Sequence, residues 1–329
     1  MLRVSEKTET EKKQPKISGV AAVRKIASKI MNEVNKVIVG KSQILENIFI
    51  ALMCDGHVLL EGVPGVAKTH MAKTFAQTLG CTFKRIQFTP DLLPSDILGT
   101  YIFDQKTGEF SFREGPVFAN IVLADEINRA PPKTQSALLE AMQEKQVTIE
   151  GVKHLLPKPF MVLATQNPIE QEGTYPLPEA QVDRFLFKLN VDYPSDEEEV
   201  EILKRRTELG NENVKSIASP EILVRMQQIV RNVYVAPEIM EYIRDIVIRS
   251  RRNPQVLLGG SPRASIVLME GAKARAALNG RDYVIPDDVK AIAQQSLNHR
   301  LILRPEAELE GVSVNRIIAS IIGEIEIPV

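Results

Sequence analysis

The segment GVPGVAKT, residues 62 to 69, has the residue types and the spacing of a loop that binds phosphate. In the pattern G-x-x-x-x-G-K-[ST], backbone N–H groups surround the phosphates, the lysine contacts the β- and γ-phosphates, and the hydroxyl binds Mg²⁺. Lys68 and Thr69 fill the last two positions, whereas Ala67 stands where the pattern has glycine. Because the chain is already entering a helix there, we expect a negative φ at Ala67, which tolerates a methyl group. The segment therefore predicts a nucleotide-binding loop that uses Mg²⁺.

Three further side chains follow apolar runs and could complete a site for hydrolysis. Asp125 and Glu126 end the run NIVLADE, and Asn167 follows the run FMVLAT. Asp125 is expected to hold Mg²⁺ together with Thr69, whereas Glu126, on the other side of the pleat, is expected to polarise the attacking water as a general base. The Asn167 amide can bond both the γ-phosphate and that water. Each segment taken alone is more simply a polar turn, so the prediction depends on their joint presence with the loop.

Positioning these side chains requires a parallel sheet whose strands end at one edge. Short apolar runs alternate with helical segments, as in an α/β domain with buried parallel strands. The runs are HVLLEG, CTFKRIQF, NIVLADE, FMVLATQNP and RFLFKLNV. The phosphate loop follows HVLLEG and leads into the helical pattern AKTHMAKTFAQTL, which is the context that such a loop requires. Two other segments, TYIFDQKTGEFSFREG and KQVTIEGVKHLL, have the runs and the glycine turns of hairpins.

The length of 329 residues favours two domains, and a change of pattern predicts where they divide. Residues 1–17 are predicted to be a disordered leader. Residues 18–195 are predicted to form the α/β core with its two hairpin insertions. Residues 196–329, where strand patterns stop, are predicted to form an all-helical lid domain. Within the lid, Ser261 followed by Pro262 is a good helix start.

Composition argues against several classes of protein. The net charge of −1 provides no global basic field for nucleic acid or for an anionic membrane. Cys54 and Cys81 lie far apart and fit neither a disulfide framework nor a zinc site. The start lacks a signal peptide, and no apolar run approaches the roughly 20 residues that span a bilayer. A cytoplasmic protein is therefore expected. The histidines do not cluster and are assigned to packing or to the surface: His57, His70, His154 and His299.

Five segments, in this order, resemble an AAA+ ATPase of the MoxR family, within the helix-2-insert group. They are the loop at 62–69, ADE at 124–126, ATQNP at 164–168, PEAQVDRF at 178–185 and SPRA at 261–264. The connecting segments resemble that family as well, so the resemblance covers nearly the whole chain after the leader. Alanine before the lysine of the loop is the form that this family uses.

This resemblance implies a five-stranded parallel sheet of order 5-1-4-3-2, a helical lid, and a ring, usually hexameric, with nucleotide between subunits. Arg184 matches the arginine finger that reaches into the neighbouring subunit's site. Arg263 matches the second sensor, contributed by the lid of the same chain, in the first turn of a helix capped by Ser261. The implied nucleotide contacts are Ile38, Val39 and Gly40 at the adenine, and Gly62, Val63, Pro64, Gly65, Val66, Ala67, Lys68, Thr69 and His70 along the loop.

Two main functions from different classes fit these features. The first is an ATP-driven remodeller of proteins, since the resemblance implies chaperone-like maturation of protein complexes, often metal-cofactor insertion. It also implies a von Willebrand A domain partner, which must be a separate polypeptide because this chain has no D-x-S-x-S motif. The alternative is a nucleic-acid motor or clamp loader, with Lys106, Lys145 and Lys153 as the available hairpin charges; the net charge argues against it. A GTP-binding switch is a weaker third, because an N-K-x-D segment is missing.

Overall fold

A computed structural model of the protein describes residues 18–106, 108–167, 173–208 and 214–328. The predicted leader at residues 1–17 lies outside these ranges. None of the described helices is both long and apolar enough to cross a membrane. The elements up to the last strand of the central sheet are α1 (Val20–Val34), α2 (Ser42–Met53), β1 (Val58–Glu61), α3 (Lys68–Thr78), β2 (Phe83–Gln87), α4 (Pro94–Leu98), β3 (Gly99–Asp104), β4 (Glu109–Glu114), β5 (Ile121–Asp125), α5 (Pro132–Glu144), β6 (Gln146–Ile149), β7 (Val152–Leu155), β8 (Met161–Gln166), α6 (Glu179–Val182) and β9 (Phe187–Asn190).

The central sheet consists of five parallel strands in the order β9-β1-β8-β5-β2. Counted along the chain, these strands give the order 5-1-4-3-2, so the expected topology is confirmed. In the middle of the sheet, Val58 of β1 lies between Leu163 of β8 and Phe187 of β9. Every residue of β5 is buried, as expected for a strand covered on both faces. The carboxyl ends of β1, β8 and β5 are therefore neighbours at one edge.

Both predicted hairpins are present, β3 with β4 and β6 with β7. The ring of His154 on the second hairpin stacks on Phe112 of the first, with centroids 4.0 Å apart. The Tyr101 hydroxyl lies 3.4 Å from His154 Nε2. Towards the tip of the first hairpin, Phe103 and Phe110 pack against each other and remain largely exposed. The two hairpins are therefore joined at their bases, and the first presents an aromatic pair to solvent.

After β9, the described elements are helices and one short strand pair, and an isolated β-bridge joins Tyr234 and Tyr283. The elements are α7 (Asp196–Glu208), α8 (Pro220–Arg231), α9 (Pro237–Arg252), β10 (Val256–Leu258), α10 (Pro262–Leu278), α11 (Pro286–Leu297), β11 (Ile302–Leu303), α12 (Pro305–Leu309) and α13 (Val314–Glu324). Strands β10 and β11 pair antiparallel, which the expected all-helical lid did not include. The reason lies at Asn253 and Pro254, since the residue before proline disfavours the helical conformation and ends α9. The apolar residues that follow then extend along β11.

Buried apolar side chains form two clusters, one on each face of the sheet. The smaller cluster lies under α5. The larger cluster continues from the sheet through α1 and α2 into the lid helices α8, α9, α10, α11 and α13. Gly271 of α10 shows how close this packing is, because an added Cβ would lie 3.3 Å from the ring of Phe187 in β9. The core is continuous across residue 195, and the predicted division into two domains there stays a prediction.

Candidate nucleotide site

The predicted phosphate loop connects the end of β1 to the start of α3. An added Cβ at Gly62 would lie 2.3 Å from the Val191 carbonyl oxygen, so the close backbone approach requires glycine there. Gly65 has a φ of 86°, in the region that favours glycine. Ala67 has a φ of 60° and a ψ of 24°, so the expected negative φ is wrong. The reason is that α3 begins only at Lys68, and the chain passes through one left-handed residue before the helix starts.

Replacing Ala67 with glycine is expected to raise the free energy of unfolding by up to about 1 kcal/mol. A left-handed conformation costs a residue with a Cβ about 1–2 kcal/mol, and the greater freedom of glycine in the unfolded chain offsets about 0.5–1 kcal/mol of the gain. Urea unfolding measures the difference. Ala319→Gly, at an exposed position inside α13, is the matched control and should lose about 0.5–1 kcal/mol. An equal loss in both variants would contradict the left-handed geometry of Ala67.

Lys68 and Thr69 form the first turn of α3 and face the strand edge. The Lys68 amine donates a hydrogen bond to the Gly62 carbonyl. Partial burial lowers the pKa of Lys68, although the nearby carboxylate of Asp125 opposes this. Thr69 Oγ1 lies 3.5 Å from Asp125 Oδ2, so the predicted lysine, hydroxyl and carboxylate meet at one place. Of the other expected loop contacts, Val66 is buried, Val63 is half-buried, and Pro64 and His70 are exposed.

Asp125 is buried at the end of β5 and is held by two residues that the sequence analysis did not assign. Thr165 of β8 donates from Oγ1 to Asp125 Oδ1 over 2.7 Å. Arg85 of β2 donates to Asp125 Oδ2 from Nε at 3.0 Å and from Nη2 at 2.6 Å. A signal for Arg85 exists in β2, where Arg85 and Gln87 alternate with apolar residues and so share one face. The parallel register sets Gln87 beside Asp125 and brings that face to the carboxylates.

Glu126 follows β5 directly and has a left-handed backbone, with a φ of 57° and a ψ of 52°. The direction of the Glu126 side chain is therefore set by a turn. The expectation that this side chain follows the pleat of the strand is wrong. The Glu126 N–H donates to Thr165 Oγ1 over 2.8 Å. The carboxylate accepts a hydrogen bond from Gln87 Nε2 over 2.9 Å, and Arg129 Nη1 lies 3.2 Å from the same oxygen. The carboxyl is thus held beside the loop, where an attacking water could lose its proton to it.

The oxygen atoms around the loop fit Mg²⁺. A magnesium ion at a nucleotide site is usually bound by one or two protein groups, with phosphate oxygens and waters completing six positions. Thr69 Oγ1 and Asp125 Oδ2 are two such hard donors, already close together. Within the described ranges, no group of three or more His, Cys, Asp or Glu side chains is placed to hold a metal ion by itself. The donor set therefore suits a metal that arrives with a nucleotide.

The remaining predicted contacts in this chain are at the end of β8 and before α2. Asn167 is buried directly after β8, beside the strand end that carries Asp125. Ile38 belongs to the larger apolar cluster, which leaves Val39 and Gly40 as the accessible part of the segment expected to cover adenine. Gly40 has a φ of 72°, and an added Cβ would lie 2.1 Å from the carboxylate carbon of Glu198. The positive φ therefore favours glycine at this position, whereas the Glu198 carboxylate is the end of a flexible side chain that can move aside.

Arg184 and Arg263 line a single cavity at the opposite edge of the sheet. The cavity also includes His57, which immediately precedes β1, so it lies at the amino ends of the strands. Arg263 Nη1 is 4.0 Å from Asp183 Oδ2. The expectation that Arg263 faces the loop of its own chain is therefore wrong. The physical reason is the packing of α10 along α1, α2 and α9, which sets its amino end, Ser261 included, beside the segment before β9. The Ser261 side chain makes no capping bond.

His57 and Lys145 form the polar wall of that cavity and have structural roles. His57 Nδ1 accepts the N–H of Val162 over 3.0 Å, so the neutral ring donates from Nε2 to the Met142 carbonyl, also at 3.0 Å. Burial, with a smaller effect of Lys145, holds the pKa of His57 well below its usual range. Lys145 Nζ donates to the Asp55 carbonyl over 2.9 Å and lies 3.3 Å from its carboxylate. Lys145 is therefore engaged inside the fold, which argues against its expected availability for nucleic acid.

Comparison with known proteins extends over the core and the lid. A family model described as the ATPase family associated with various cellular activities matches residues 57–187, and a model of the AAA lid domain matches residues 248–321. The chain is 51% identical over 305 residues to the uncharacterized protein YeaC of Bacillus subtilis, covering 92% of this chain and 95% of YeaC. It is 48% identical over 319 residues to chaperone MoxR1 of Mycobacterium tuberculosis, covering 94% of this chain and 84% of MoxR1.

A crystal structure of a protein from Cytophaga hutchinsonii has the same fold, with a TM-score of 0.89 and 46% sequence identity. The match covers 94% of this chain and 97% of that chain. Identity at this level over nearly the whole length of both partners extends from the phosphate loop into the lid. One of these relatives, chaperone MoxR1, carries the name of the MoxR family. The chain therefore belongs to the MoxR family of AAA+ ATPases.

Proposed function

We propose that this ATPase works as a ring in which each nucleotide lies between two subunits. The observation that supports this proposal is the place of Arg184 and Arg263, which line a cavity at the amino ends of the strands. The phosphate loop lies beyond the carboxyl end of β1, and four residues of strand separate the two edges by about 13 Å. Both arginines therefore face away from the loop of their own chain. A neighbouring copy in a hexameric ring would bring its loop to them.

In the proposed reaction, each residue around the loop has one task. Lys68 would bind the β- and γ-phosphates, and Thr69 with Asp125 would hold Mg²⁺, which would supply positive charge to neutralise the phosphates. Glu126 accepts the proton of the attacking water, while Gln87 and Arg129 keep its carboxylate in place.

Two further groups act on the same phosphate. Asn167 orients the water against the γ-phosphate. Arg184 of the neighbouring subunit then stabilises charge on the transferring phosphoryl group. Arg263 would act from the same side, because it shares the cavity with Arg184.

The work done with this reaction is proposed to be the remodelling of a protein client. The relative from Mycobacterium tuberculosis is named a chaperone, and this supports a chaperone-like role. The proposed form of that role is the maturation of protein complexes or metal-cofactor insertion. A separate von Willebrand A domain protein is the proposed partner. The two joined hairpins offer an exposed aromatic pair, Phe103 and Phe110, on the core domain. Such rings can contact a protein chain without reading its sequence.

The test of this proposal is ATP turnover per subunit over a wide range of protein concentration, with Glu126→Gln as the blank. If the site is completed between subunits, the turnover per subunit should rise with concentration and then saturate. A flat profile across a range in which sedimentation shows monomers becoming rings would contradict a shared site. Added DNA should leave turnover unchanged. A strong stimulation that falls steeply with salt would instead favour a nucleic-acid motor acting through exposed hairpin lysines such as Lys106 and Lys153.

A further inference from the structure

Three consecutive residues after α11 bind the backbone on both sides of Arg184. Asn298 Nδ2 donates to the Lys188 carbonyl over 3.1 Å. His299 Nε2 lies 3.1 Å from the Phe185 carbonyl oxygen and donates to it in the neutral ring. Burial, with a smaller effect of Arg300, holds the pKa of His299 well below its usual range, which favours the neutral ring. The lid thus contacts the segment that carries the proposed arginine finger through several directed hydrogen bonds.

Arg300 makes the largest number of these contacts and is itself buried. Its Nε donates to Asp183 Oδ1 over 2.7 Å. Its Nη2 donates to the carbonyls of Asp183 and Phe185 over 3.0 and 2.7 Å. Its Nη1 donates to the Leu186 carbonyl over 3.1 Å and to the Ser296 carbonyl. All five N–H groups of the guanidinium are therefore used, and the fixed fork leaves little freedom to the backbone that it binds.

Arg184 lies in the middle of this clamped segment. Among the residues that the structure describes, no carboxylate is within ion-pair distance of its guanidinium, which lines the cavity together with Arg263. The backbone on either side of Arg184 is held, and Arg184 itself lines the cavity. The Asp183 carboxylate also lies 4.0 Å from Arg263, so the same clamp reaches the second arginine.

We propose that Arg300 is a positioning residue, through which the lid sets the direction of Arg184 towards the nucleotide of the neighbouring subunit. This inference rests on the proposed function of Arg184 in that site. Arg300 does not touch the nucleotide. Its contribution is the fixed geometry of the carbonyls of Asp183, Phe185 and Leu186. A charged group without the fork, such as lysine, cannot reproduce these bonds.

The first test is Arg300→Lys, with steady-state kinetics and ATP affinity measured on the same preparation. We expect kcat to fall by about 10-fold or more while KM and ATP affinity change little, because the affected arginine serves another chain's site. Arg281→Lys is the matched control. Arg281 is also a lid arginine that forms a bidentate pair, with Asp288 at 2.6 and 2.7 Å, but it does not contact the segment around Arg184. Arg281→Lys should keep a normal kcat. An equal fall of kcat in both variants would mean that Arg300 only stabilises the fold and does not position Arg184.

The second test mixes Arg300→Lys subunits with Glu126→Gln subunits, which lack the base but keep an intact Arg184. In mixed rings, some Arg300→Lys sites receive a well-placed arginine from a Glu126→Gln neighbour, so turnover per Arg300→Lys subunit should rise several-fold. Arg184→Ala mixed with Glu126→Gln serves as the reference. If the reference mixture does not recover, Arg184 does not act between subunits and the proposed function fails. If the reference recovers and the Arg300→Lys mixture does not, the positioning role of Arg300 is wrong.

A further variant tests the same proposal in case Arg300→Lys does not fold. Asp183→Asn keeps the backbone carbonyls and removes only the carboxylate that meets Arg300 Nε and approaches Arg263. It should show a smaller fall in kcat with the same recovery in the mixture. A normal kcat for Asp183→Asn, in a protein with normal thermal stability, would count against the clamp.

Discussion

Replacing Arg184 with alanine is expected to lower ATP turnover about 10³-fold, the scale on which arginine fingers act. The guanidinium stabilises charge that appears on the transferring phosphoryl group, so the loss should fall on kcat. ATP affinity of the variant chain should stay close to that of the unchanged protein. Arg184 lies at the amino ends of the strands, whereas its own phosphate loop lies beyond the carboxyl end of β1. Turnover and ATP affinity measured on one preparation check both statements.

The control for this variant is another arginine-to-alanine change on the surface. Arg249 pairs with Glu324 at 3.3 Å, and both side chains are about half exposed. Such pairs contribute little to stability, so Arg249→Ala should leave turnover unchanged. If Arg184→Ala lost ATP affinity in proportion to its loss of turnover, Arg184 would belong to the nucleotide site of its own chain. The arrangement between subunits would then be wrong.

The strands and the hairpins could be predicted because their signals are local. Runs such as VLLE in β1 and IVLAD in β5 are short, apolar and bounded by polar turns, and each became a strand of the sheet. The two hairpins had equally local signals, namely a glycine at each turn and apolar runs on either side of it. The sheet order came from the family resemblance, since no pattern of single residues determines which strands become neighbours. The positions of Thr69, Asp125 and Glu126 at one edge then followed from the strand ends.

Other parts of the site depend on residues that are distant in sequence. The pairing of Arg85 with Asp125 requires the register of β2 on β5, which no pattern inside either strand determines. The place of Arg263 requires the packing of α10 on α1 and α2, across more than two hundred residues of chain. The left-handed φ of Ala67 was missed for a different reason. The helical pattern of the sequence starts at this residue, whereas the helix itself starts one residue later.

Arg85 and Gln87 lie on β2, beside the carboxyl end of β5. Both side chains hold carboxylates at the end of β5, and both belong to β2. The chain leaves β2 towards α4, which leads directly into the first hairpin. The strand that holds these two carboxylates is therefore linked along the chain, through α4, to the first hairpin.

Glu126→Gln is expected to bind ATP about as tightly as the unchanged protein and to lose turnover by about 10²–10⁴-fold, the usual contribution of a general base. The glutamine side chain keeps nearly the same shape and can still bond Gln87, so the backbone turn at Glu126 and the Asp125 site should stay intact. Only the ability to accept a proton is lost. Equilibrium ATP binding and single-turnover hydrolysis separate these two properties.

The matched control is Glu140→Gln, the same chemical change at an exposed position on α5, which should leave both ATP binding and hydrolysis unchanged. Asp125→Asn provides the contrast, since it removes a charge that Arg85 and the proposed Mg²⁺ share and should weaken ATP binding as well as hydrolysis. If Glu126→Gln hydrolysed ATP at a near-normal rate, another group would have to take the proton from water. Of the other described carboxylates at this edge, Glu61 at the end of β1 is paired with Lys188 at 2.9 Å, which leaves Asp125. Because Asp125 is buried between Thr165 and Arg85, it is poorly placed to receive that proton, and near-normal turnover would overturn the assignment of the whole edge.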